Sequence, residues 1–179
     1  MDHHVSALAE HLRTYALRTD GPFYLASGLV SDWYLDGRQT TFDGSGARLV
    51  AMAVRSVLVS DVTAVGGLTM GADPIAIATA MFGDPPLRAF SVRKSAKSHG
   101  TGGRIVGPVT KTDRIAVVED TTTTGGSIAE AIAVLRSVGM TIVQAVTVVD
   151  RSEGRAASEL EPLGLTLTTL LTPGDLGVV

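Results

Sequence analysis

Cysteine is absent from the sequence, and aromatic residues make up only 4% of it. Without cysteine the chain has no disulfides, thiol nucleophiles or thiolate metal ligands, which fits a reducing compartment. No apolar run reaches the roughly 18–20 residues of a membrane-spanning helix. The first residues also lack the basic stretch and apolar core of a signal peptide. We therefore expect a cytoplasmic protein that has no membrane partner.

The charge and the length of the chain set further limits. Its 179 residues carry a formal net charge of −3, so no nucleic-acid partner is expected. Hydrophobic residues make up 45%, which excludes wholesale disorder. Because no linker, repeat or low-complexity tract divides the sequence, residues 1–179 are predicted to form a single domain.

Apolar strand patterns alternate with helical patterns through the second two-thirds of the chain. Strands are predicted over residues 62–65, 87–92, 115–118, 141–149 and 165–171, and helices over 72–81, 126–138 and 155–160. This alternation predicts an α/β fold with a mostly parallel, twisted sheet flanked by helices. Ligands of such sheets bind at the carboxyl ends of the strands.

The first 60 residues follow a different pattern. A helix is predicted over residues 3–18 and another over 43–58, capped by Asp43 or Ser45. Between them, residues 22–38 suggest two short strands around a turn, a small antiparallel flap. His3, His4 and His11 lack acidic partners at metal-ligand spacing, so they are expected to face solvent.

The strongest local signal is the segment 117–127, where an apolar strand runs into Glu119 and Asp120 and then into a turn of threonines and glycines. The backbone amides of such a turn and the N-terminus of the following helix form a cradle for a phosphate. Two carboxylates beside a phosphate suit the hydroxyls of a ribose, and their charge stabilises a cationic sugar transition state. The predicted phosphate-binding residues are Thr121, Thr122, Thr123, Thr124, Gly125, Gly126 and Ser127.

Other phosphate-binding patterns fit this segment less well. A Walker loop needs a lysine after its glycines, and here Ser127 follows Gly126 directly. The glycine spacing also differs from the dinucleotide-binding fingerprint. The simplest alternative is a strand end followed by an N-capping loop, which needs no ligand.

Residues 85–112 contain no Asp or Glu but carry six of the fifteen basic residues. Three glycines lie within residues 100–103, so residues 93–103 are expected to be neither helix nor strand. A flexible cationic loop of this kind suits a lid that closes over a polyanion. The alternative is a solvated surface loop, although such surfaces usually mix charges of both signs.

These segments together resemble a known family. Residues 117–127 resemble the phosphoribosyl pyrophosphate motif of the type I phosphoribosyltransferases. The pattern from Arg93 to Gly100 resembles the catalytic lid of the orotate phosphoribosyltransferases within that family. The segment 23–34 resembles their N-terminal hood, and Asp150-Arg151 their orotate-binding dipeptide. The matches extend from about residue 23 to residue 151.

The resemblance implies a type I phosphoribosyltransferase fold with a hood formed by about residues 1–40 and a flexible lid over about 93–107. It implies transfer of the phosphoribosyl group from 5-phosphoribosyl 1-pyrophosphate (PRPP) to N1 of orotate. The products are orotidine 5′-monophosphate and pyrophosphate, in pyrimidine biosynthesis. Mg²⁺ is the implied cofactor, held mainly by substrate oxygens and water and not by protein ligands.

The resemblance also implies residue roles. Lys97 is expected to stabilise the leaving group, with Glu119 and Asp120 at the reacting sugar, and Thr123 and Arg151 are expected to hold orotate. A homodimer is implied in which lid residues complete the neighbour's site. The residues expected at the pyrophosphate are Arg93, Lys94, Lys97 and His99.

Two family lysines are missing, since Ala26 and Met70 occupy their positions. Three other functions remain open at this point. A purine or uracil phosphoribosyltransferase would share the acidic loop, and a non-catalytic relative could bind RNA through a basic surface. The third possibility is a plain α/β scaffold in which these motifs have no common function.

Overall fold

The computed structural model describes residues 2–24, 28, 30–97 and 103–179. In chain order the strands are β1 (Leu17–Arg18), β2 (Phe23–Tyr24), β3 (Val30–Ser31), β4 (Tyr34–Leu35), β5 (Ala64–Leu68), β6 (Arg88–Lys97), β7 (Gly103–Val106), β8 (Arg114–Thr122), β9 (Thr141–Asp150) and β10 (Leu167–Leu171). The helices are α1 (His3–Tyr15), α2 (Arg38–Thr41), α3 (Gly44–Val57), α4 (Ala72–Met81), α5 (Gly126–Ser137) and α6 (Arg155–Leu160). Two short 3₁₀ turns, Glu161–Leu163 and Gly174–Leu176, follow α6 and β10 respectively.

A six-stranded sheet forms the centre of the fold, in the order β10-β9-β8-β5-β6-β7. Its neighbours pair in parallel except for β6 and β7, which form an antiparallel edge. The predicted α/β fold with a mostly parallel sheet flanked by helices is therefore confirmed.

Apolar side chains cover both faces of this sheet. Along β8, Val117 packs on the side of α5 and α6, whereas Val118 packs on the side of α1, α3 and α4. Successive residues of a strand point to opposite faces, so an uninterrupted apolar run is what a doubly covered strand requires. Burying each large aliphatic side chain contributes about 1.5–3 kcal/mol. The helix residues that supply most of this packing include Leu8, Leu12, Val50, Val54, Ile75, Ile128, Ile132 and Leu160.

Three strands of the sheet extend further than the sequence predicts. β8 continues through the acidic pair to Thr122 because β9 provides partners for Thr121 and Thr122. β5 includes Gly66 and Gly67 and runs to Leu68, beyond the predicted end at residue 65. The expectation that residues 93–103 form neither helix nor strand is wrong for residues 93–97 and 103, whereas residues 98–102 lie outside the described residues. β6 runs to Lys97, and Gly103 opens β7 opposite it.

The N-terminal strands pair differently from the expected flap. β2 pairs with β3, while Tyr34 and Leu35 of β4 pair with Leu17 and Arg18 of β1. Helix α1 ends at Tyr15, which frees the next residues for this pairing. Asp43 caps α3 as predicted, accepting hydrogen bonds from the amides of Ser45 and Gly46.

His11 does not face solvent, contrary to the sequence-based expectation. Its side chain is 9% exposed, and Nε2 lies 3.5 Å from Asp43 Oδ2. Nδ1 and Nε2 lie 3.2 Å and 3.3 Å from the hydroxyls of Thr40 and Ser45. The acidic partner comes from the cap of α3 and not from the helix that carries His11, so spacing within one helix could not reveal it. His11 therefore joins α1 to the start of α3.

Candidate active site

A cleft of about 390 Å³ opens at the carboxyl ends of β5 and β8, below the turn that follows β4. Parallel strands bring their carboxyl ends to one edge of the sheet, which is where the sequence placed the ligand. The cleft contains the acidic pair, one lid lysine and the turn before α2. Its lining residues are Tyr34, Leu35, Asp36, Gly37, Arg38, Leu68, Thr69, Met70, Gly71, Lys94, Glu119, Asp120, Thr121 and Ser127.

The two acidic residues lie side by side but in different surroundings. Glu119 is only 7% exposed, and its Oε1 accepts a long hydrogen bond of 3.3 Å from the Asp120 amide. Asp120 Oδ1 accepts a 2.7 Å hydrogen bond from the Thr121 amide. Burial, reinforced by the adjacent Asp120 charge, raises the pKa of Glu119 to about 8. Glu119 therefore retains a proton at neutral pH until a cation or hydroxyl donors enter the cleft.

The threonine-glycine turn forms a small recess of about 40 Å³ that shares Glu119, Thr121 and Ser127 with the cleft. Gly125 has a φ of +86°, a conformation that favours glycine, and α5 begins directly after it. The recess thus combines a helix N-terminus with threonine and serine hydroxyls. Thr123, Thr124, Gly126 and Ile128 complete its walls, together with Thr122 and Gly125.

Thr122 contributes differently from its neighbours. Its side chain is buried, and its hydroxyl donates to the Thr147 hydroxyl at 3.0 Å. The Thr122 carbonyl accepts a 2.7 Å hydrogen bond from the Arg151 amide. Thr122 therefore fixes the strand ends, whereas Thr123 and Thr124 are exposed beside the recess.

At the floor of the cleft, the backbone at Gly71 lies close to the carboxyl groups of the acidic pair. A Cβ atom at this position would lie 2.6 Å from Asp120 Oδ1 and 2.9 Å from Glu119 Oε1. Met70, the residue before it, is 56% exposed at the cleft rim. The Thr69–Met70 peptide is cis, and the Thr69 hydroxyl donates to Asp73 at 2.6 Å. The loop after β5 therefore leaves room for the acidic pair but adds no positive charge.

The predicted lid residues divide into three groups. Lys94 lines the cleft, whereas Arg93 is half-buried and its carbonyl accepts from Arg104 Nε at 2.7 Å. Arg104 also pairs with Glu130 of α5, so β7 is tied to the helix that follows the threonine-glycine turn. The Lys97 side chain and His99 lie outside the described residues.

Arg151 lies beside the N-terminal strands. Its guanidinium stacks on the Trp33 ring, 4.0 Å from the ring centroid, and burial lowers its pKa below the ordinary value. Trp33 is itself buried and donates from Nε1 to the Val179 carbonyl at 2.9 Å. The aromatic contact orients a cation near Tyr34, although Arg151 does not line the 390 Å³ cleft.

Asp36, Gly37 and Arg38 line the cleft without having been expected there. Arg38 donates to both carboxylate oxygens of Asp36, from Nε at 2.7 Å and from Nη2 at 3.2 Å. The feature of the sequence that could have revealed this turn is the spacing of Asp36 and Arg38, two residues apart directly after the predicted hood strand. Only the fold brings this turn opposite Asp120.

The donor set of the cleft limits how a metal ion could bind. Among the described residues, no group of three or more His, Cys, Asp or Glu side chains could hold a metal ion. Glu119 and Asp120 alone offer carboxylate oxygens on the strand side, so a divalent cation would take its other ligands from substrate and water. In the described part of the chain, no helix is long and apolar enough to cross a membrane.

Comparisons with known proteins agree with this geometry. Residues 60–166 match the model of the phosphoribosyl transferase domain family. The chain is similar to the orotate phosphoribosyltransferase of Corynebacterium glutamicum, with 42% identity over 96% of this chain and 92% of that protein.

Solved structures give the same result. The fold is similar to Mycobacterium tuberculosis H37Rv orotate phosphoribosyltransferase in complex with Fe(III) dicitrate. Their TM-score is 0.89 at 39% identity, covering 98% of this chain and 99% of that chain. A complex of the same enzyme with 5-phospho-α-D-ribosyl 1-diphosphate gives a TM-score of 0.84 at 35% identity, with the same coverage of both chains.

Proposed function

The chain belongs to the phosphoribosyltransferase family, among its orotate phosphoribosyltransferases, and on that premise we propose that the cleft and its recess hold PRPP while orotate binds beside Arg151. The protein is a pentosyltransferase of pyrimidine biosynthesis that forms orotidine 5′-monophosphate and pyrophosphate. The observation that carries the site assignment is the continuity of the acidic pair with the phosphate recess, which share Glu119, Thr121 and Ser127.

PRPP fits these two spaces in one orientation. The 5′-phosphate occupies the recess, where the turn 121–127 and the start of α5 offer amides and hydroxyls. The ribose hydroxyls then donate to Glu119 and Asp120, and the diphosphate extends toward the loop 69–71 and Lys94. This placement puts negative charge beside a lysine and hydroxyl donors beside carboxylates.

In the reaction the bond from the anomeric carbon to the diphosphate oxygen breaks, a bond from that carbon to N1 of orotate forms, and the N1 proton passes to the departing pyrophosphate or to water. Positive charge develops on the ribose ring, and the charges of Asp120 and Glu119 stabilise it. Lys97 and Lys94 stabilise the negative charge on the departing pyrophosphate, with Arg93 and His99 as further lid contacts. Much of the rate enhancement comes from holding both substrates in line.

Mg²⁺ fits the acidic end of the cleft as the cofactor. Glu119 and Asp120 are the carboxylates on the strand side of the cleft, and no three described His, Cys, Asp or Glu side chains could together hold a metal ion. Most of the metal's ligands would therefore come from PRPP oxygens and water, which is how Mg²⁺ commonly binds to phosphorylated substrates. When bound, the metal neutralises the diphosphate charge.

Orotate is held by Thr123 and Arg151 in this proposal. The Arg151 guanidinium is already oriented by Trp33, so it can pair with the orotate carboxylate without first becoming ordered. Purines and uracil lack this carboxylate. A stacked, half-buried arginine therefore favours orotate over the bases of related enzymes.

The assembly that we propose is a cytoplasmic homodimer of single-domain chains, with the hood over residues 1–40 and lid residues 93–107 shared between subunits. An apolar groove beside the cleft supports this assembly. Phe42, Met70, Ile77 and Met81 line it and are all more than half exposed. Exposed apolar surfaces of this kind commonly mark contacts between proteins.

The activity is tested by following orotate absorbance with PRPP and Mg²⁺, comparing wild type with Lys97→Ala. Wild type is expected to consume orotate, and Lys97→Ala to be slower by about 100-fold or more because it loses a cation at the leaving group. Lys111→Ala removes another lysine of the same acid-free segment and should remain fully active. Turnover of a purine or uracil in place of orotate would contradict the assigned specificity.

The shared lid is tested by mixing two inactive proteins, Lys97→Ala and Asp120→Asn. If lids complete neighbouring sites, each mixed dimer regains one intact site, so an equilibrated mixture reaches about a quarter of wild-type activity. A monomer in light scattering, or a mixture that stays inactive, would contradict sharing.

A further inference from the structure

The turn after β4 carries an arginine that no motif predicted. Arg38 begins α2 and lines the cleft. The turn passes close to β8, since a Cβ at Gly37 would lie in ordinary van der Waals contact, 3.7 Å from both Asp120 Cβ and Thr121 Oγ1. Arg38 therefore lines the same cleft as the residues that hold the ribose.

Asp36 holds the Arg38 guanidinium in one orientation. Its Oδ1 accepts from Arg38 Nε at 2.7 Å and its Oδ2 from Arg38 Nη2 at 3.2 Å. Asp36 is fixed in turn, because its amide donates to the Ala16 carbonyl at 3.0 Å and Gln39 Nε2 donates to its Oδ2 at 3.3 Å. The Arg38 side chain remains 52% exposed, and its Nη1 makes no hydrogen bond to the described residues. One edge of the guanidinium is thus available to a ligand.

The charge balance of the cleft shows why such a cation matters. Among the described lining residues, Arg38 and Lys94 are the two cations, against three acids. Arg38 therefore supplies half of the positive charge of the described lining, beside Lys94. Met70, which lines the same cleft, adds none.

Arg38 and Met70 also share a second recess beside the cleft, lined by Arg38, Gln39, Phe42, Asp43 and Met70. Arg38 therefore lies at the Met70 end of the cleft, away from the 5′-phosphate recess. This is the end toward which the diphosphate extends.

We propose that Arg38, oriented by Asp36, binds the diphosphate of PRPP at the end of the cleft where the uncharged Met70 lies. This inference rests on the proposed function, because it takes the orientation of PRPP from it. Arg38 is a binding residue in this account, so its loss affects the KM for PRPP more than kcat. The KM for orotate stays unchanged, since orotate binds at the Arg151 side.

The test compares wild type, Arg38→Gln, Arg38→Lys and the double variant Arg38→Gln with Met70→Lys. Arg38→Gln is expected to raise the KM for PRPP by about 10-fold or more, with kcat within about 3-fold of wild type. Arg38→Lys keeps the charge but loses the fork with Asp36, so its KM should be intermediate. Met70→Lys should recover at least about 3-fold of the loss, because it returns a cation to the same end of the cleft.

Arg114→Gln is the matched control. It breaks an arginine-aspartate pair with Asp61, similarly exposed, at the opposite edge of the sheet. An unchanged KM for PRPP in Arg38→Gln, an equal rise in Arg114→Gln, or a rise in the orotate KM alone would overturn the inference. Thermal unfolding of both variants checks that they remain folded.

Calorimetric binding of inorganic pyrophosphate separates the two proposals. If wild type fails to consume orotate, the proposed function fails. Weaker pyrophosphate binding in Arg38→Gln than in Arg114→Gln would still support the Arg38 site. If wild type is active and both variants bind pyrophosphate equally, the Arg38 site alone is wrong.

Discussion

Two buried acidic residues lie near the two ends of strand β8, and they differ in how many hydrogen bonds they accept. Asp113 precedes the strand and is 2% exposed, whereas Glu119 lies near its far end and is 7% exposed. Asp113 accepts from the Thr63 hydroxyl at 2.8 Å, from Arg88 at 2.6 Å, and from the amide and hydroxyl of Thr110 at 2.7 and 2.9 Å. Glu119 accepts one 3.3 Å hydrogen bond, from the neighbouring amide.

This difference shifts the pKa values of the two carboxyl groups in opposite directions. Burial alone would raise the pKa of Asp113, but hydrogen bonds from Thr110, Thr63 and Arg88 outweigh burial and lower that pKa. Burial and the Asp120 charge instead raise the pKa of Glu119. The fold therefore satisfies the acid at one end of the strand and leaves the other for a ligand to satisfy. Buried polar groups that lack partners in a folded protein often mark such sites.

The largest expected effect comes from removing the satisfied acid. Asp113→Ala leaves the Thr110 amide and its other donors without an acceptor, which should lower the free energy of unfolding by about 3 kcal/mol. Urea denaturation at neutral pH measures this loss. The KM for PRPP should stay unchanged in the folded fraction, because Asp113 lies at the edge of the sheet opposite the cleft. A loss below about 1 kcal/mol would show that the hydrogen bonds contribute little.

A smaller effect of opposite sign is expected from Glu119→Gln. The pKa of Glu119 is higher in the folded protein than in the unfolded chain. The free energy of unfolding is therefore unaffected by Glu119 ionisation below about pH 4 and falls as the pH rises toward about 8. The glutamine variant removes this decline and should be more stable than wild type near pH 8, with no difference near pH 4. Denaturation curves across this range test it. Parallel pH profiles for the two proteins would contradict a raised pKa.

The smallest effect is expected at an exposed acid on the same edge as Asp113. Asp61 pairs with Arg114 at 2.5 Å, and both side chains are about half exposed. Solvent screens such a pair, so Asp61→Asn should change the free energy of unfolding by about 0.5 kcal/mol or less and leave turnover unaltered. Denaturation in low and high salt measures it. A loss as large as that of Asp113→Ala would show that burial does not explain the comparison.

The sequence predicted the elements whose formation depends on residues that are close together in the chain. The helix over 72–81 agrees with α4, and Asp43 caps α3 as expected. The acidic pair and the recess were predicted because strand, acids and glycine turn are consecutive in the chain. The length of β8 was not, since its last pairings depend on Val149 and Asp150, almost thirty residues away.

The unpredicted parts of the site depend on contacts between distant segments. Arg38 reaches the cleft because β4 pairs with β1 and so positions the turn beside Asp120. Sequence patterns placed residues 17–18 in a helix, which concealed this pairing. No sequence pattern connects Trp33 with Arg151, and only the fold shows that the Arg151 guanidinium stacks on the Trp33 ring.

The glycines of β5 have a consequence for how this protein can change over generations. A methyl group at Gly66 would lie 2.3 Å from the Phe90 carbonyl oxygen, and one at Gly67 would lie 2.2 Å from that of Val118. No other amino acid fits at either position without separating the strands, whereas Met70, three residues further on, is more than half exposed in the single chain. Substitutions at Met70 can therefore alter the cleft rim, within the limits of the proposed dimer contact, while the strand beneath it requires both glycines. Selection can act on substrate affinity at this rim without changing the packing of the sheet.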